Sequence, residues 1–107
     1  EHRVAGADAN PYLVLAAVLA CAHHGLTHRT DPGPVVTGNG YAVAAETGAK
    51  LPVNWYAAVD HLDASQVLRD YLGDRFVDMY VQVKRAEQAR FFEEVTDLDY
   101  EWYLRNA

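Results

Sequence analysis

The sequence has little of what marks a secreted, membrane-spanning or nucleic-acid-binding protein. It carries one cysteine, Cys21. A lone cysteine excludes an internal disulfide framework and fits a reducing, cytoplasmic setting. Cys21 lies inside an apolar run and reads as a small buried hydrophobe. There is no basic stripe: the net charge of −6 is spread along the chain, so nucleic acid is not an expected partner. The uncharged run over residues 9–22 is 14 residues long, whereas a membrane span needs roughly 20. It reads as a core helix, and no membrane partner is expected. No secretory signal is visible, because Glu1-His2-Arg3 is followed by too little apolar length before Asp8 and Asn10. No internal repeat and no low-complexity tract is present.

What the chain does have is a globular composition. Of its 107 residues 50% are hydrophobic, with seven tyrosines, two tryptophans and three phenylalanines. That suffices for one small domain with a modest core. The pattern predicts a mainly α fold: a short extended N-terminal segment, one buried helix, a long loop and a C-terminal helical cluster.

The buried helix is expected from Pro11 to about His24. Asn10 is a favoured N-cap, and Pro11 suits the first helical position, where an N–H would have no intrahelical acceptor. Gly25 suits the left-handed residue after the helix. Its body, Tyr12 to Ala22, is apolar on every side, which in a water-soluble protein calls for enclosure all round. Leu15→Ala or Leu19→Ala should then cost about 2–5 kcal/mol if the leucine is fully buried. A chain this short has difficulty enclosing a helix completely, so the segment is expected to pack against further protein. The absence of an initiator methionine before Glu1 is read the same way.

Residues 27–53 form a long connection rich in turn chemistry, with Asp31-Pro32-Gly33 and Gly38-Asn39-Gly40. Helical patterning resumes over residues 55–62, with Asn54 as cap, then over 65–72 with Gly73 as a stop, then over 75–95. In that longest helix Phe76, Tyr80, Val83, Glu87, Phe91 and Val95 recur at spacings of three and four and predict the inward stripe. A last helix follows Thr96, which with Asp99 resembles a capping box. It should carry Leu98, Trp102 and Tyr103 inward.

Candidate chemistry is sparse. His23, His24 and His28 suggest a metal site, but Gly25 is expected to end the helix between them. Solvated imidazoles near a helix C-terminus are the simpler reading. Asp97, Asp99 and Glu101 read as favourable charges at a helix start. Gly38-x-Gly40 lacks the lysine of a phosphate loop. Glu1 and Arg3 are two apart, so in a strand both point to one face about 7 Å apart. Spacing alone makes them a surface pair.

The run Glu1-x-Arg3, Gly6-Ala7-Asp8-Ala9-Asn10-Pro11-Tyr12-Leu13 and the alanine-rich helix after it resembles the C-terminal part of the glutamine synthetase family. The tail, with Leu68-Arg69, Leu72-Gly73, Phe76-Val77, Tyr80 and Val83-Lys84-Arg85-Ala86-Glu87, looks like the γ-glutamylpolyamine synthetase branch. Residues 1–107 are therefore expected to be the C-terminal segment of a catalytic domain. The resemblance implies an ATP-dependent ligase that activates glutamate as γ-glutamyl phosphate for attack by ammonia or an amine, with Mg2+ or Mn2+ as cofactor. It implies that Glu1 binds one of the cations and that Arg3 binds glutamate; no other position matches a known site, and no residue is assigned as catalytic. It further implies a homo-oligomer of stacked hexameric rings with sites shared between subunits, so the 107 residues alone are expected to be inactive. Plain glutamine synthetase using only ammonia is the alternative within the family. A free-standing helical interaction domain, docking a partner through the apolar helix, is the alternative outside it.

Overall fold

The computed structural model describes residues 4–40 and 51–104. Among them it contains five helices and no strand: α1 (Pro11–Thr27), α2 (Trp55–Asp63), α3 (Gln66–Leu72), α4 (Asp74–Glu93) and α5 (Asp97–Tyr103). The mainly helical class expected from the sequence is what forms. The extended segment expected at residues 1–3 lies outside the described residues. So does the stretch 41–50 of the long connection, whose residues 28–39 are irregular.

The helix starts follow local chemistry. The Asn10 side chain accepts from the N–H groups of Tyr12 and Leu13 at 3.0 and 3.3 Å, with Pro11 in the first turn. Asn54 accepts from Ala57 N–H at 2.9 Å, and Ser65 Oγ from Leu68 N–H at 3.3 Å. Each cap satisfies a backbone donor that has no partner within its helix. Gly73 ends α3 and immediately precedes α4 with φ 86, a left-handed value that costs a residue without Cβ little. At α5 the Asp99 carboxylate accepts from both the N–H and the hydroxyl of Thr96 at 2.8 Å.

The end of α1 differs from expectation. The helix runs through Gly25 to Thr27, and the left-handed residue is Arg29, at φ 50. Thr30 N–H donates to Gly25 carbonyl at 2.9 Å and Arg29 N–H to Leu26 carbonyl at 3.4 Å. This is the paired closure of a Schellman motif, formed here without glycine at its left-handed position.

The packing is a chain of neighbours: α2 lies on α4, α3 on α4, and α1 on α3. The core is Val59, Val77 and Val81, with Trp55, Leu62 and Leu72 packed against it. On α4 the inward face is thus one residue on from the expected stripe. Val77, Val81 and Gln88 are buried, while Phe76, Val83 and Phe91 are 41%, 53% and 60% exposed. The compact β-branched side chains lie where α2 comes close. The aromatics flank that seam, Phe76 stacked on Tyr80, Phe91 edge-on to Trp55 and Phe92 stacked on Tyr56. Leu98, Trp102 and Tyr103 of α5, expected inward, are also exposed, since α5 is not among the closely packed helix pairs.

Enclosure of α1 is not achieved among the described residues. With α3 as its packing neighbour, it buries only Ala20. Leu15 and Leu19 are 58% and 59% exposed, so the burial on which a large leucine-to-alanine cost depends is not supplied by these residues. Cys21, expected to be buried, is exposed for the same reason.

Two arginines tie the middle helices together. Arg69 of α3 donates through Nε to the Asp63 carbonyl at 2.9 Å and through its terminal nitrogens to the carboxylates of Asp63, Asp74 and Asp78 at 2.6, 3.2 and 2.8 Å. Arg85 adds bonds to Asp60 and Asp63, both at 3.0 Å. The fork geometry of a guanidinium lets one side chain clamp the end of α2 to the start of α4.

Candidate functional site

Glu1 and Arg3, the two residues to which the sequence assigns chemistry, lie outside the described residues. What the structure does place is the segment that follows them in sequence. Residues 4–9 turn tightly, with Ala9 N–H donating to the Gly6 carbonyl at 3.1 Å, and the Asn10 cap then fixes the start of α1. At Gly6 a Cβ would stand 2.7 Å from Asp8 Oδ1. The carboxylate of Asp8 therefore folds back over a position kept clear by the missing side chain.

This turn forms one wall of an open cleft of about 660 Å³. Gly6, Asp8, Ala9, Asn10 and Leu13 line one side, and Trp55, Ala58, Val59, Leu62, Tyr80 and Lys84 the other. α2 and α4 provide the apolar floor because their seam ends there. Lys84 donates to Glu87 at 2.6 Å and stands 5.4 Å from the centre of the Tyr80 ring. The Glu87 carboxylate is the main reason its pKa is raised, and the charges of Tyr80, Glu87 and Asp8 add to the effect. Sequence spacing relates Lys84 to Glu87 only as residues three apart on the longest helix, with Glu87 in the expected inward stripe. Their position beside the N-terminal turn depends on tertiary packing and has no signature in local spacing.

The histidines do not converge. Continuation of α1 past Gly25 does put His24 and His28 on one face, where their rings stack at 4.0 Å. His28 Nδ1 lies 2.9 Å from the His24 carbonyl, part of the helix-end closure. His23 instead hydrogen-bonds the Tyr71 hydroxyl on α3. No group of three or more potential metal-ligating side chains occurs among the described residues. Asp99, Asp97 and Glu101 lie on α5, with Asp99 used as a cap; its hydrogen bonds from Thr96 hold its carboxyl below the ordinary aspartate range.

Comparison with known proteins gives the frame for this geometry. Residues 1–103 match the family model for the glutamine synthetase catalytic domain. The chain belongs to the glutamine synthetase family. It is 40% identical over 107 residues to the γ-glutamylputrescine synthetase of Escherichia coli K12, covering 100% of this chain and 22% of that protein. Against the type-1 glutamine synthetase 2 of Dictyostelium discoideum it is 32% identical, covering 97% and 20%. A glutamate–isopropylamine ligase of Pseudomonas is 34% identical over 84 residues, covering 78% of this chain and 18% of its own length. The chain thus spans about a fifth of the length of the curated relatives it matches. Family membership replaces the reading of a free-standing interaction domain. No helix among the described residues is long and apolar enough to cross a membrane.

Proposed function

We propose that these residues are the C-terminal part of the catalytic domain of an ATP-dependent ligase that joins glutamate, through its γ-carboxylate, to an amine. In that reaction a γ-carboxylate oxygen attacks the terminal phosphorus of ATP and ADP leaves. The amine nitrogen then attacks the acyl carbon, phosphate leaves, and an amide bond remains. The contribution of this chain is Glu1 as one oxygen ligand to a Mg2+ or Mn2+ ion and Arg3 as the partner of the glutamate substrate. The donor types fit: hard divalent cations take carboxylate oxygens, and a guanidinium offers two parallel donors to a carboxylate. The described residues complete no coordination sphere, so the remaining ligands and the nucleotide-binding groups belong elsewhere in the enzyme. Stacked hexameric rings with sites shared between subunits would supply them, and the 107 residues alone would be inactive. A cytoplasmic setting, where ATP and glutamate are abundant, suits the reaction.

The observation that carries this reading is the match of residues 1–103 to the glutamine synthetase catalytic domain, in which Glu1-x-Arg3 precedes in sequence the Asn10-Pro11-Tyr12 helix start. An amine acceptor is preferred over ammonia because relatives named for putrescine and isopropylamine ligation align with the chain. Glutamine synthetases align with it too, and ammonia is the competing acceptor. Phosphate release by the whole enzyme, measured with glutamate, ATP and either ammonia, putrescine or ethanolamine, decides between them. Turnover with putrescine or ethanolamine well above that with ammonia is expected; turnover with ammonia alone refutes the amine reading.

A further inference from the structure

A helix that stops at Gly25 would separate His24 from His28, and in the sequence that spacing weighs against a metal site. In the structure α1 runs through Gly25 to Thr27, with His28 as its C-cap. Residues four apart on a helix share a face, and the two imidazoles stack with ring centres 4.0 Å apart. His23 is engaged instead by the Tyr71 hydroxyl on α3, so the histidines form a pair and not a triad. One contact gives the pair its chemistry. His28 Nδ1 lies 2.9 Å from the His24 carbonyl oxygen. A carbonyl can only accept, so Nδ1 carries a proton and donates it. In the neutral ring Nε2 is then the nitrogen with the free lone pair. A backbone carbonyl holding one ring N–H is the usual outer shell of a metal-binding histidine, whose other nitrogen ligates.

We propose that His24 and His28 bind a borderline divalent transition-metal ion (Zn2+, Ni2+ or Cu2+) through one nitrogen each, with water in the remaining positions, and that the ion clips the last turn of α1. Metal–nitrogen bonds of about 2.0–2.1 Å put two adjacent ligand nitrogens about 3 Å apart. Rings whose centres are 4.0 Å apart reach that spacing by small side-chain rotations. Imidazole selects these ions over Mg2+ and Ca2+, which take oxygen ligands. The clip would join the residue before Gly25 to the C-cap, across a glycine that weakens the interior of a helix. It does not depend on the roles given above to Glu1 and Arg3.

The test uses the whole enzyme in saturating Mg2+, with Zn2+ alone as the titrant. Wild type should bind one more Zn2+ per chain than His24→Gln, His28→Gln or the double variant, and all three should lose the same single equivalent. His23→Gln should keep it. His24→Gln is the decisive variant, because it leaves the backbone carbonyl that holds the His28 ring in place. With free Zn2+ at ten times its Kd, amide exchange over residues 25–30 should slow about tenfold in wild type and not in His24→Gln. Cu2+ is bound most tightly in this series of ions. One equivalent added to wild type should give an electron paramagnetic resonance spectrum coupled to two imidazole nitrogens, a readout that needs no variant. A His24→Gln enzyme that binds as much Zn2+ as wild type, and as tightly, overturns the proposal. So does a Cu2+ spectrum with one nitrogen or none. Zn2+ binding that leaves exchange at the end of α1 unchanged overturns the clip.

Discussion

Gln88 is the buried polar side chain of the described residues, 1% exposed on the inner face of α4, and its Nε2 has no hydrogen-bond partner among them. An amide donor left unsatisfied in the interior costs about 1–3 kcal/mol. Methionine has the same unbranched reach, no polar hydrogen and enough flexibility to fill the space. Gln88→Met removes the penalty and introduces a shape mismatch of at most about 1.5 kcal/mol. The net expectation is a gain of about 1 kcal/mol, or roughly a fivefold shift in the opening equilibrium. Amide hydrogen exchange over the α4 peptides reads this locally, even within a large enzyme, because it reports the opening of one packed unit. Exchange about fivefold slower than wild type is expected. Exchange clearly faster than wild type would mean that the amide has an acceptor, and the reasoning would fail. Gln88→Glu supplies the opposite arm. Burial raises a carboxyl pKa above its unfolded value of about 4.3, so the cost of ionisation grows as pH rises above that value. Protection of α4, corrected for intrinsic exchange, should therefore fall from acid to neutral pH in this variant and not in wild type.

Three further outcomes are expected. Val77→Ala, at a position 1% exposed, should cost about 2–3 kcal/mol from lost transfer energy and the cavity left behind. Val83→Ala, at 53% exposure, should stay within about 0.5 kcal/mol; equal losses in denaturation would return the inward face to the expected stripe. The α5 cap should weaken in acid. Asp99 has a lowered folded-state pKa through its bonds from Thr96, so its contribution is complete above the unfolded value of about 3.9 and is lost as pH falls through the lower folded value. Asp99→Asn should abolish that acid dependence in the Thr96 amide resonance, and an unchanged titration would refute the cap. Arg3→Ala in the whole enzyme should raise the KM for glutamate or lower turnover without unfolding the protein, and an unaltered kinetic profile would remove Arg3 from the substrate site.

Local rules and long-range packing divide the chain cleanly. Asn10, Asn54, Ser65, Gly73 and the Thr96–Asp99 pair act within a few residues of themselves, so each helix boundary they govern is readable from sequence spacing. Gly25 is the exception among these boundaries. A glycine at a plausible stop competes with the residues after it, and the closure built by His28, Arg29 and Thr30 satisfies the last carbonyls of α1 beyond that glycine. Which face turns inward is a different kind of question. Phe76, Val83 and Phe91 obey helical periodicity as well as Val77 and Val81 do, and only the approach of α2 selects the valines. The Arg69 clamp reaches Asp63, Asp74 and Asp78 across two helix ends, at separations with no meaning on any single helix. The candidate site lies at the same divide. The ligand roles proposed for Glu1 and Arg3 come from a sequence motif, which carries donor types directly. The cleft lined by both Asp8 and Lys84 arises only once the turn ahead of α1 faces the seam of α2 and α4. An exposed α1 face bearing Leu15, Val18 and Leu19 fits the same pattern. The apolar sequence of the helix calls for cover, and among the described residues α3 covers one side of it.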